Sequence, residues 1–139
     1  MRLKTNKVFV STFVSSKSLE ANKENHDKAC SILASQEIDY AIVRGCYKGK
    51  TELTILLSAD SEAEHQKNLV TAANLGYLYN QESILEVCND DSAFLHYSKG
   101  KAQRLGKFVN VSQSEALEQA NFTHCPVTDQ YFIVREYTI

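Results

Sequence analysis

Residues 38–58 read IDYAIVRGCYKGKTELTILLS. Two runs rich in β-branched and large apolar residues, Ile38–Cys46 and Thr51–Ser58, flank the short glycine-bearing segment Tyr47-Lys48-Gly49-Lys50. That pattern predicts a β-hairpin. Upstream, Lys7–Phe13 (KVFVSTF) reads as a strand. The polar run Ser15-Ser16-Lys17-Ser18 then supplies capping residues for a helix over about Leu19–Gln36. The first half of that helix is almost wholly polar, so only Ala29, Cys30, Ile32 and Leu33 offer a buried stripe. Downstream, Ser61-Glu62-Ala63-Glu64 fits the S-x-x-E capping box, in which the serine caps the third amide beyond it. A second helix therefore begins there, buries Leu69, Ala72 and Ala73, and is expected to stop at Gly76.

Glu82–Val87 (ESILEV) predicts a fourth strand, Asn89-Asp90-Asp91 a turn, and Ala93–Tyr97 a fifth strand paired with the fourth. Ser98–Gly106 is polar and basic and reads as a loop. Ser112-Gln113-Ser114-Glu115 is another capping box, opening a short helix to about Ala120. His124-Cys125, beside the one proline, Pro126, reads as loop, and Gln130–Tyr137 as a final strand. The order β-α-β-β-α-β is that of the ferredoxin-like split βαβ. It predicts an α/β (α+β) sandwich: an antiparallel sheet with two helices on one face and C-terminal additions. The face left open in such a sandwich is commonly buried by oligomerisation.

The chain's 139 residues suit one domain, 1–139. With 43% hydrophobic and 23% charged residues the composition is that of an ordinary globular protein. Fifteen basic against 17 acidic side chains, with no Lys/Arg block, predict no nucleic-acid or anionic-membrane surface. Met1–Lys7 lacks the apolar stretch of a signal peptide, and no run approaches the ~20 apolar residues of a membrane span. A cytoplasmic protein with four reduced cysteines, Cys30, Cys46, Cys88 and Cys125, is expected. His26 and Cys30 stand i, i+4 on the first helix, but a lone pair is no metal site, and neither metal nor organic cofactor is predicted.

No phosphate loop, nucleophile elbow or metalloprotease signature is present. The unusual features are polar groups at strand ends: Ser11-Thr12-Phe13, Gly45-Cys46-Tyr47, Glu52 and Gln81-Glu82-Ser83. Each also has a plain explanation. A tyrosine at a strand end is commonly a half-buried packing group, and Glu52 or Glu82 could be a solvated charge that discourages strand addition. From periodicity and spacing alone the reading ends at an α/β binding domain of unknown ligand.

The same residues carry a resemblance. Val8–Phe13 (VFVSTF), Gly45-Cys46-Tyr47-Lys48, Glu52, Asn74, Gln81-Glu82-Ser83-Ile84-Leu85 and Leu95-His96-Tyr97-Ser98-Lys99-Gly100 resemble, in order and approximate spacing, the phage enzymes that degrade S-adenosylmethionine. The likeness covers about the first hundred residues. It implies a family-like core over 1–106 and a C-terminal extension over 107–139 packing on that core. It further implies a GlnB-like sandwich, a homotrimer with active sites between subunits, and no cofactor. The activity implied is a lyase yielding 5′-methylthioadenosine and homoserine lactone, with an anti-restriction role in the host cytoplasm. By the same likeness Tyr47 and Glu52 are the catalytic residues and Ser11, Phe13, Gln81, Glu82 and Ser83 bind substrate. Three alternatives remain open: hydrolysis of the same substrate to homoserine; a PII-like sensor of adenine nucleotides, against which the roughly four residues between the second and third strands argue; and a purely structural subunit.

Overall fold

The computed structural model describes residues 4–47 and 49–136. Lys48 of the hairpin loop, Tyr137 of the last strand and the first three residues of the N-terminal reading lie outside these. Eight strands and three helices follow one another as β1 (Asn6–Ser11), α1 (Leu19–Ser35), β2 (Ala41–Tyr47), β3 (Lys50–Ala59), α2 (Glu62–Leu78), β4 (Ser83–Val87), β5 (Ser92–Tyr97), β6 (Ala102–Val111), α3 (Gln113–Leu117), β7 (Phe122–Cys125) and β8 (Gln130–Glu136).

The strands form a closed barrel in the order β1-β3-β2-β7-β8-β6-β5-β4, each paired antiparallel with its neighbours. This corrects the expected ferredoxin-like, GlnB-like sandwich. The element order runs β-α-β-β-α-β as far as Val87, but the sheet does not stop there. The segment assigned to loop, Ser98–Gly106, holds the first half of β6, and His124-Cys125 ends β7. With those strands added, the sheet curls until β7 meets β2 through Arg44–Cys46 and Phe122–His124. The inner face that a sandwich would leave open is here enclosed within the barrel, so that face is not the one an oligomer would have to cover.

Closure depends on one close backbone approach. Gly106 lies where β6 shifts register against β5, and a Cβ there would collide with the Arg135 carbonyl of β8. A glycine is the residue that permits such an approach.

Two apolar clusters follow from strand alternation. Val8 and Val10 of β1, with Ile55 and Leu57 of β3, face outward and are covered by Ala29 and Leu33 of α1 and Ala72 and Leu75 of α2. Phe9, Val43, Leu56, Val87, Phe108 and Phe132 face inward and fill the barrel. Phe108 stacks on Phe132 at 4.8 Å between centroids and meets Phe9 at 5.5 Å, tilted. β1 is therefore buried on both sides along its length.

Ser18, Ser61 and Ser112 each accept a backbone N–H three residues on, at 3.1–3.2 Å, and so start the three helices. α2 does not stop at Gly76. It runs on to Leu78, and Gly76 is buried, with room for a Cβ limited by Ile84 at 3.3 Å. The Cys30 thiol lies 3.6 Å from His26 Nε2 beneath α1, and burial lowers the histidine's pKa and raises the thiol's. Among the described residues no helix is long and apolar enough to cross a membrane.

Candidate active site

Inward-facing residues at one mouth of the barrel are polar where those deeper inside are apolar. On β1 the inward series is Phe9 then Ser11; on β3 it is Leu56, Thr54 and Glu52; on β2 it is Val43, Gly45 and Tyr47. β4 enters the same mouth at Ser83, after Asn80 has turned the chain out of α2 with a left-handed φ of 57°. That backbone conformation is one asparagine tolerates better than most residues.

The mouth holds a cavity of about 410 Å3. Ser11, Phe13, Tyr47, Glu52, Gln81, Glu82 and Ser83 all line it. Their arrangement differs in kind from one to the next. Glu52 is half-buried, and burial raises its carboxyl pKa, opposed in part by a hydrogen bond from the Ser11 hydroxyl. The Tyr47 phenol is pushed up to about 12, by burial first and then by the neighbouring Glu52 and Cys46. It is thus a neutral donor at any physiological pH, never a base. Tyr47 is nonetheless 39% exposed, so its ring is crowded by protein yet reachable from the mouth.

Gln81 spends its amide N–H on the frame, and Ser11 Oγ also accepts from it. Gln81 Nε2 donates to the Phe13 carbonyl at 2.9 Å, and the Phe13 N–H donates to Ser11 Oγ at 3.0 Å. Asn22 of α1 grips the next residue, accepting from Val14 N at 2.9 Å and donating to its carbonyl at 3.1 Å. The polar half of α1 thus has a buried stripe of its own, and that stripe holds the loop after β1 against the cavity. Glu82 is exposed at the rim.

Three features of the site escaped the sequence reading: Thr54, the space left by the already noted Gly45, and a second cavity. Thr54 lines the cavity, is 2% exposed, and its hydroxyl has no hydrogen-bond partner among the described residues. Its i, i+2 spacing from Glu52 was the available signal. Gly45 is the second: a Cβ built on it would lie 2.8 Å from Tyr47 Cε2 and 2.9 Å from Thr54 Oγ1. The tyrosine ring folds back along its own strand into space that only a glycine leaves. The third is a second cavity of about 350 Å3, lined largely by β6–β8, which shares Tyr47, Ser83, Leu85 and Leu95 with the first. It drew no attention because residues 107–139 carry no motif. A wider groove of about 930 Å3 beside α2 contains none of these residues.

The model of the S-adenosylmethionine lyase family matches residues 8–135, a span that runs from β1 through nearly all of β8. The chain belongs to that family. It is an enzyme that acts on S-adenosylmethionine. No curated protein matches it significantly. The barrel mouth holds a half-buried carboxylate, Glu52, and a neutral phenol ring, Tyr47, on the walls of one cavity.

Proposed function

We propose that the enzyme splits S-adenosylmethionine into 5′-methylthioadenosine and L-homoserine lactone. The substrate's own carboxylate oxygen attacks its γ-carbon, the γ-carbon–sulfur bond breaks, and the bonding pair stays on sulfur as a neutral thioether. The step joins a negative and a positive charge, so water favours the ground state over the transition state. A cavity that removes water and folds the methionine chain toward attack accelerates it without a protein nucleophile. Glu52 holds the substrate ammonium and leaves the carboxylate free. Tyr47 turns its ring toward the sulfonium, as aromatic faces do for onium groups, while Ser11, Phe13, Gln81, Glu82 and Ser83 shape the pocket around the methionine moiety.

The observation that carries this reading is the half-buried Glu52 beside a phenol whose pKa stands at about 12. A raised carboxyl pKa marks an anion short of a positive partner, which a cationic substrate supplies. With the phenol neutral, Glu52 is the group a hydrolase would have to use as its base, so the two mechanisms part on what Glu52 does.

Labelled water decides between lyase and hydrolase. Homoserine lactone caught early in ¹⁸O-water is expected to carry no label, and later lactone opening places ¹⁸O in the carboxylate. Homoserine labelled in its hydroxyl as first product would overturn the lyase mechanism and leave the substrate standing. The family likeness also supports a homotrimer with sites at subunit interfaces, and an anti-restriction role in which a phage depletes the methyl donor of the host cytoplasm.

A further inference from the structure

Thr54 stands two residues beyond Glu52 on β3 and points to the same side of the strand. It lines the Glu52 cavity and is 2% exposed, and its hydroxyl bonds to nothing among the described residues. Ser11, its register partner on β1, is the opposite case. The Ser11 hydroxyl accepts from the Phe13 N–H, reaches the Leu53 carbonyl at 3.4 Å and bonds Glu52. A buried hydroxyl without a partner costs stability, because it loses its water and gains no bond in return. Valine fills nearly the same space without that loss. Thr54 is thus kept at a cost to the empty protein, which a ligand group bonded to its hydroxyl would remove.

The charges of the cavity indicate which group that is. Among the described residues no lysine, arginine or histidine lines it, whereas Glu52 and Glu82 do. The substrate carries an ammonium and a carboxylate on one carbon. Glu52 answers the ammonium. The carboxylate meets no cation on these walls, so a neutral donor is what remains for it. Residues two apart on a strand stand about 6.6 Å apart, a span that two substituents of one carbon bridge when each has its own hydrogen bond.

We propose that the Thr54 hydroxyl holds one oxygen of the substrate carboxylate while the other oxygen attacks the γ-carbon, resting on the reading of the activity given above. A hydroxyl suits this task better than a cation. Arginine or lysine would pair with the carboxylate and stabilise the charge that the reaction must consume. A single O–H fixes the plane of the group and leaves the second oxygen free to attack. Thr54 keeps its proton throughout, and no bond to the protein forms. In the empty protein the hydroxyl lies against Gly45, 2.9 Å from where a Cβ would stand, and a turn about the Thr54 Cα–Cβ bond presents it to the ligand.

The test compares S-adenosylmethionine with its decarboxylated form, which keeps the ammonium, the sulfonium and the nucleoside but has no carboxylate for Thr54 to hold. Steady-state turnover of the first is measured beside competitive inhibition by the second. Thr54→Val is expected to lower kcat/KM about tenfold, the loss of one hydrogen bond to a charged group. It is expected to leave the inhibition constant of the decarboxylated compound unchanged and to melt higher than wild type. Thr54→Ala is the second variant and is expected to lose as much turnover, whereas Thr54→Ser keeps the hydroxyl and most of the rate. Glu52→Gln is expected to weaken the decarboxylated compound, whose ammonium it no longer meets. An active wild type whose kcat/KM is indifferent to Thr54→Val, or a Thr54→Val that weakens both compounds equally, overturns the role of Thr54 and spares the activity. A wild type that does not turn over S-adenosylmethionine overturns the activity itself and this role with it.

Discussion

Replacing Gly45 by alanine adds one methyl group at the point where Tyr47 folds back over its strand. The new Cβ would sit 2.8 Å from Tyr47 Cε2, where ordinary contact begins at 3.4 Å, a shortfall of about 0.6 Å. It would also sit 2.9 Å from Thr54 Oγ1. The two obstacles are unequal. The Thr54 hydroxyl has no hydrogen bond to lose and can turn away, whereas the tyrosine ring must shift bodily toward the cavity. Overpacking of this size costs about 1–3 kcal/mol in stability, which a folded domain withstands. If Tyr47 has the role proposed for it, displacing its ring by a substantial part of an ångström costs on the order of ten- to a hundredfold in rate. Gly45→Ala is therefore expected to fold, melt somewhat lower and lose most of its kcat, measured by formation of methylthioadenosine. A double-mutant cycle identifies the cause. In a Tyr47→Ala background the clash with the ring is gone, and Gly45→Ala should add little further loss. Wild-type turnover in Gly45→Ala, or an equal loss with and without the Tyr47 ring, would refute the idea that Gly45 exists to seat Tyr47.

Glu52→Gln should reduce turnover roughly a hundredfold or more with the fold intact, since it removes a charged hydrogen bond from a water-poor site; Tyr47→Phe keeps the ring and should lose less. Beneath α2, Glu86 accepts from His65 Nε2 at 2.6 Å and from His96 Nε2 at 2.7 Å. Burial alone would raise this carboxyl, but the hydrogen bonds from His96 and His65 outweigh it and hold the pKa below its ordinary value. The stabilisation is thus complete above the unfolded carboxylate value and lost as pH falls through the lowered folded value. Melting temperature followed downward from neutral pH should drop faster for wild type than for Glu86→Gln; parallel curves would remove Glu86 as the cause. Light scattering should give three times the chain mass, and a fully active monomer at micromolar concentration would defeat the trimer.

The sequence was legible where a local cause sufficed. Ser18, Ser61 and Ser112 announce their helices because capping is decided within four residues. β1 to β5 announce themselves through apolar runs. The barrel was not legible, because closure is decided far from where it is encoded. Ala102-Gln103-Arg104 opens β6 fully exposed, so it reads as loop, and it becomes strand only because His96, Leu95 and Phe94 of β5 lie opposite. β7 has four residues and is held from both sides by β2 and β8. The strand-end polar residues could be singled out one by one. That they surround a single cavity was beyond the sequence, as was the unpartnered Thr54 hydroxyl inside the apolar-looking TELTILLS.

Synthesis from the N-terminus gives the place of β8 between β6 and β7 a meaning in time. Glu52, Tyr47 and Ser83 all emerge from the ribosome well before the strand that closes the ring around them. A nascent chain that has reached β4 already carries the carboxylate and the phenol, but one wall of the pocket is still untranslated. The barrel that surrounds those two groups can therefore close only once the last strand has been made.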